Sequence, residues 1–143
     1  MAIGAIAAGL GVAAAQAPAT GQLTADPVVA ASDATHLGLL SGDNEIPPVE
    51  GTASGTAWVL LDASTSTVSW TVEYAGLTGP ATGAHFHGPA GPDANAGVVL
   101  SLVAAGGAMD SPIQGTAQLT AEQTAQIVAG EWYVNVHTAA NPG

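Results

Sequence analysis

The sequence predicts an all-β fold: an immunoglobulin-like or superoxide-dismutase-like antiparallel Greek-key β-sandwich with one short helix near 121–129. Three observations carry this. Val68, Trp70, Val72 and Tyr74 alternate with Thr67, Ser69, Thr71 and Glu73, the period-two pattern of a strand with one wet face. About seven such short runs are separated by turn clusters, for which 19 glycines and 9 prolines supply the residues. Finally, 48% hydrophobic and 8% charged residues over 143 positions give enough apolar surface for one core and room for one domain.

In chain order, residues 2–17 form a small-residue apolar run that closes on Ala15-Gln16-Ala17, the pattern of a signal-peptide h-region and cleavage site. The run is shorter than the ~20 residues a spanning helix needs. A positively charged n-region is absent. The run therefore reads as a signal peptide whose start lies upstream, or as a retained buried or inter-subunit arm. Residues 18–34 have no periodicity and read as a flexible arm or linker. The folded domain is expected over 35–143. Strands are predicted near 35–40, 52–61, 67–75, 98–103, 112–119 and 131–138, with another through His85 and His87. The pair 52–61 and 67–75 should form an antiparallel hairpin. Ser41–Val49 holds too many turn residues and prolines for a central strand. Thr120 and Gln123 form a capping box and Gly130 a stop for the helix, whose Ala121, Ala125, Ile127 and Val128 should pack on the sheet.

Charge narrows function. The chain has 11 carboxylates, four histidines and no lysine or arginine, a formal charge of -11. Without a fixed cation it has nothing to grip a phosphate backbone, and nucleic acid and anionic membrane surfaces are excluded as partners. A buried acid must find backbone N–H groups, a histidine or a metal ion. With no cysteine there is neither a disulfide framework nor a thiolate nucleophile.

Three motifs stand in order: Leu40-Ser41-Gly42-Asp43-Asn44-Glu45-Ile46-Pro47-Pro48-Val49, Gly83-Ala84-His85-Phe86-His87-Gly88-Pro89-Ala90, and Gly130-Glu131-Trp132-Tyr133-Val134-Asn135-Val136-His137-Thr138. Together they resemble the CHRD (chordin) domain of secreted bacterial proteins, over roughly residues 36–143. The resemblance implies an immunoglobulin-like sandwich with limited similarity to copper/zinc superoxide dismutases, and a secreted, extracytoplasmic location. Relatives of this kind continue past the final Asn-Pro-Gly with a Gly-Glu-Ile-Arg-Gly-type strand. The sequence stops at Gly143, so a sandwich short of its C-terminal strand is expected.

The histidines carry the functional lead. In a strand, His85 and His87 share one face while Phe86 takes the other, and Phe86 is a core residue. In the last strand Trp132, Val134 and Val136 form the apolar face, leaving Tyr133, Asn135 and His137 opposite. If the two strands are neighbours, His85, His87 and His137 converge on the non-core face. Three imidazoles on rigid strands suit Cu(II) or Zn(II). The competing reading makes them polar anchors donating to backbone carbonyls of the Gly88–Gly97 loop. Glu45 and Asn135 are candidate second-layer partners, since a carboxylate behind an imidazole fixes its tautomer. For Glu45 the plainer role is a turn acid bonding backbone N–H groups. His36 has no partner motif, and Asp93-Ala94-Asn95-Ala96-Gly97 lacks the later ligands of a calcium loop.

The His-x-His pair with a distant strand histidine is similar to the copper side of the dismutases. A bridging histidine and an arginine to orient superoxide are both missing, so dismutase activity is not implied. The chain reads as a binding or structural module rather than an enzyme. The alternative is an extracellular assembly subunit that self-associates by β-strand addition, its N-terminal arm filling an exposed sheet edge.

Overall fold

The structure, a computed structural model, describes residues 6–9, 11–12, 34–91 and 94–142. In chain order these form β1 (Ile6–Gly9), β2 (Gly11–Val12), β3 (Ala34–Ser41), a 3-10 turn (Gly42–Asn44), β4 (Ser54–Asp62), β5 (Thr67–Ala75), β6 (Ala81–His87), β7 (Val98–Ser101), β8 (Ile113–Gln118), α1 (Ala121–Val128) and β9 (Tyr133–Thr138). All strand pairs are antiparallel. The all-β sandwich is as the alternation predicts.

One layer is β3-β4-β5-β8 and the other is β7-β6-β9; β1 lies between β9 and β3 and joins them along one side. The expected hairpin is β4–β5, with Leu61 opposite Val68 and Trp58 opposite Thr71. Its turn is closed by Asp62, whose Oδ1 accepts from the backbone N–H groups of Ser64 at 2.9 Å and Thr65 at 3.1 Å. This is the local bonding that makes Asp a turn residue.

The core forms where the inward faces meet. Ala57, Val59, Leu61, Val68, Trp70 and Val72 come from one layer and Ala84, Phe86, Val134 and Val136 from the other, all buried. Trp70 and Phe86 meet edge to face across the layers with ring centroids 5.4 Å apart, and Trp132 flanks Phe86 at 5.7 Å. Both indoles find acceptors for their N–H groups, as burial requires. Trp70 donates to the Leu102 carbonyl at 3.1 Å and Trp132 to Gln126 Oε1 at 3.0 Å. Gly115 must lack a side chain, because a Cβ there would stand 2.3 Å from the Trp70 ring.

On β4 Ala57, Val59 and Leu61 face the core, while Trp58 and Leu60 share the other face and are about half exposed. One expectation is corrected at the helix. Helix α1 has the predicted capping box. It buries Ile127 alone, however; Ala121, Ala125 and Val128 are exposed. A single buried side chain suffices because Gln126 also holds the helix to Trp132. Of the expected signal peptide at 1–17, residues 6–9 and 11–12 are strand, and the rest lies outside the described residues. The expected arm at 18–34 also lies outside them except for Ala34, the first residue of β3.

Candidate metal centre

Strands β6 and β9 pair so that Phe86 is opposite Val134 and Ala84 opposite Val136 on the core side. The pleat then puts the remaining pairs on the other face: His85 opposite Asn135, His87 opposite Tyr133, and Gly83 opposite His137. The alternation argument thus brings the three predicted histidines together. Their rings lie 5.4 Å (His85–His137), 5.8 Å (His85–His87) and 6.0 Å (His87–His137) apart between centroids. One ligand nitrogen from each lies within 4.8 Å of the other two. Metal–nitrogen bonds of about 2.0–2.1 Å require somewhat closer spacing, which side-chain rotation can supply.

Gly83 makes room for the rings. A Cβ at this position would lie 3.0 Å from His85 Cε1 and 3.4 Å from His137 Cδ2.

Although this face points away from the core, it is not wet. His87, Asn135 and His137 are buried. The segment after β3 (42–49) and the loop between β6 and β7 are tied together by Asn95, whose side-chain amide donates to the Ile46 carbonyl at 3.0 Å. Each is also fastened to the face below. Asn135 Nδ2 donates to Glu45 Oε2 at 3.3 Å, and the Ala96 N–H donates to the Tyr133 hydroxyl at 3.0 Å.

His87 Nδ1 lies 3.0 Å from the Ala96 carbonyl oxygen, which can only accept. Nδ1 therefore carries the proton, and the lone pair of Nε2 is free for a ligand. This bond is the anchor role foreseen for the Gly88–Gly97 loop. It leaves the second ring nitrogen unused. Tyr133 stacks on His87, with centroids 5.1 Å apart and planes 11° from parallel.

Burial pushes His85 below the ordinary imidazole range, and proximity to His87 adds to the effect. For His137, burial first and then the His85 and His87 rings lower the pKa to about 4. Both are therefore neutral near pH 7, the form that binds a metal. His85 Nδ1, His87 Nε2 and His137 Nδ1 are all buried without a hydrogen-bond partner among the described residues. Buried polar atoms are seldom left this way, and the donor set is the one Cu(II) and Zn(II) accept.

A family model for the CHRD domain matches residues 38–143. The chain belongs to the CHRD domain family. No curated protein and no solved structure matches it. The CHRD match spans β6, β9 and the two segments that roof them, 42–49 and the β6–β7 loop, and β1 and β2 fall outside it.

Within the CHRD domain the other candidates separate. Glu45 approaches the centre through Asn135 and not through an imidazole; burial raises its pKa and the bond from Asn135 opposes the rise. His36 takes no part in the cluster. It is a fully buried β3 residue opposite Val59, and burial lowers its pKa. Asn95 acts as a clasp between roof segments, while Asp93 lies outside the described residues. Sequence reasoning missed the structural parts played by Gly83, Asn95 and Tyr133. The signal for Gly83 and Tyr133 was their parity with the histidines; for Asn95 there was none, because its partner is 49 residues away.

Proposed function

We propose that this CHRD domain is a secreted, extracytoplasmic binding module that holds one transition-metal ion, Cu(II) or Zn(II), at His85, His87 and His137. One observation carries the reading: three buried, unpartnered imidazole nitrogens from adjacent rigid strands gather in one place. The extracytoplasmic setting rests on the family and on the apolar run ending at Ala17. A chain without lysine or arginine has no cation to draw in a small anionic substrate, so the reading is of binding rather than catalysis. Calorimetric titration of the metal-free protein with Cu(II) and with Zn(II) tests it. One equivalent should bind tightly to the wild type, and binding should fall to nonspecific levels in His85→Ala and His137→Ala. Equal binding in all three proteins rules the site out.

A second reading, assembly by strand addition, is favoured by the position of β1. It pairs through four residues with β9, from Ile6 opposite Val136 to Gly9 opposite Tyr133, and through Ala7 with Ser41 of β3. A segment that small, inserted between two strand edges, is an exchangeable occupant. Residues 13–33 join β2, and through it β1, to β3, a length that reaches roughly 70 Å when extended and so allows both to be donated to a second copy. Removal of residues 1–17 opens the slot. The shortened protein should then bind a synthetic peptide of residues 1–17, and the full chain, which keeps its donor strand, should form oligomers by size-exclusion chromatography. A monomer indifferent to the peptide refutes the idea.

A further inference from the structure

Eight buried side-chain polar atoms lack a partner among the described residues, and five of them belong to the metal face: His85 Nδ1, His87 Nε2, His137 Nδ1, Glu45 Oε1 and Asn135 Oδ1. A metal ion accounts for the three nitrogens. It leaves two oxygens, both acceptors. The orientation of the Asn135 amide follows from its neighbour: an ionised Glu45 can only accept, so Nδ2 faces Oε2 and Oδ1 is turned the other way. Asn135 shares the outward face with the imidazoles, directly opposite His85 and two residues before His137. Burying an acceptor without a partner is costly, and Glu45 is not among the residues whose ligand atoms gather into the metal-sized group, so a hydrogen-bond donor is needed to satisfy it.

We infer that the centre is open at a fourth position, and that this position takes a small neutral protic ligand, with water as resident, which donates hydrogen bonds to Glu45 Oε1 and Asn135 Oδ1. The inference rests on the metal reading above. Its chemistry is selective. A metal-bound water has two hydrogens to donate and meets two acceptors. A small anion such as azide would instead face the Glu45 carboxylate and the Asn135 carbonyl dipole, both repulsive, with no lysine or arginine in the chain to offset them. Glu45 is thus a positioning residue: it selects and orients what binds the metal without touching the metal itself.

The test uses the copper-loaded full chain. Solvent-proton relaxation should rise above the level measured when excess imidazole fills the open position, which reports an exchangeable bound water. Azide binding, followed by the charge-transfer band it forms with Cu(II), should be weak in the wild type and at least tenfold tighter in Glu45→Gln. The variant loses the negative charge while keeping the size. Electron paramagnetic resonance of both proteins should show three nitrogen ligands.

Three-nitrogen copper without relaxation enhancement overturns the bound water, as does equal azide affinity in the two proteins. Either result leaves the metal reading standing. Absence of bound copper overturns both. The relaxation measurement needs only the wild type, so it decides the matter even if Glu45→Gln does not fold.

Discussion

Two outward-facing surfaces of the same sandwich differ in almost every respect. On the β6/β9 side the outward residues are His85, His87, Tyr133, Asn135 and His137, mostly buried beneath the roof segments, with several polar atoms unpartnered. On the β3-β4-β5-β8 side they include Leu39, Trp58 and Leu60, 70%, 49% and 48% exposed, beside Ser69, Thr71, Gln114 and Thr116. There the polar groups bond one another across strands: Gln114 to Thr71 at 3.2 Å and Ser69 to Thr116 at 3.3 Å. Apolar side chains stand in water on one face, and polar ones lie buried on the other. The hydrophobic effect alone gives neither arrangement. The segments at 42–49 and between β6 and β7 cover the polar set, and the metal ion proposed above would partner its nitrogens; scattered apolar exposure on a protein surface is ordinary.

Beyond the histidines themselves, the largest expected effect on metal affinity at the roofed face comes from Gly83→Ala. The new methyl group would press on His85 Cε1 and His137 Cδ2, which belong to side chains able to swing aside. Folding should change little, whereas the ligand nitrogens would be displaced by a few tenths of an ångström. Metal affinity should fall about tenfold, equivalent to ~1.4 kcal/mol, when the variant is compared with wild type by calorimetry. Unchanged affinity would mean the rings are not held by their contact with Gly83.

Acid should act on the same face. The metal-free protein holds His137 near 4, below the 6.5 of an unfolded chain. Between these values the unfolded state binds more protons, so stability rises with pH. The contribution is complete above 6.5 and is lost as pH falls towards 4. Glu45 acts the other way, since its raised pKa lets protonation relieve a buried charge as the pH drops. Urea midpoints of metal-free protein should therefore fall between pH 6.5 and 4. The fall should be steeper in Glu45→Gln and shallower in His137→Gln. Parallel curves for all three would remove His137 as the cause.

These two faces also mark how far the sequence could be read. Period-two alternation around Phe86 and Val134 placed the histidines on the non-core side, so the cluster was legible on the one condition that β6 and β9 are neighbours, which their pairing meets. Whether that side was wet was not legible. Roofing depends on contacts such as Asn95 to Ile46 and Asn135 to Glu45, 49 and 90 residues apart, which leave no local pattern. The same limit explains β4, where Trp58 and Leu60 alternate with Ala57, Val59 and Leu61. Both faces of that strand are apolar, so alternation cannot choose between them; the smaller set goes inside, on the side where Trp70 and Phe86 meet across the layers. Helix α1 shows the converse. Its capping box is a three-residue signal and was read correctly, but its buried face could not be inferred from four apolar positions.

The smallest effect should come from the open face. Trp58 is half exposed, on the layer that does not carry the centre, and is paired with Leu37 and Thr71. Its replacement by threonine removes an aromatic that buries only part of its surface and introduces a good strand former. Stability should shift by no more than about 0.5–1 kcal/mol. Metal affinity should not move at all, because the core lies between Trp58 and the histidines. Urea denaturation and calorimetry on Trp58→Thr check both statements. A large loss of stability would mean that Trp58 is covered in solution, by residues 13–33 or by a second copy, and dilution distinguishes these covers, since only the second depends on concentration. In that case the contrast between the faces would be one of which cover has been identified, rather than of a roofed side and a bare one.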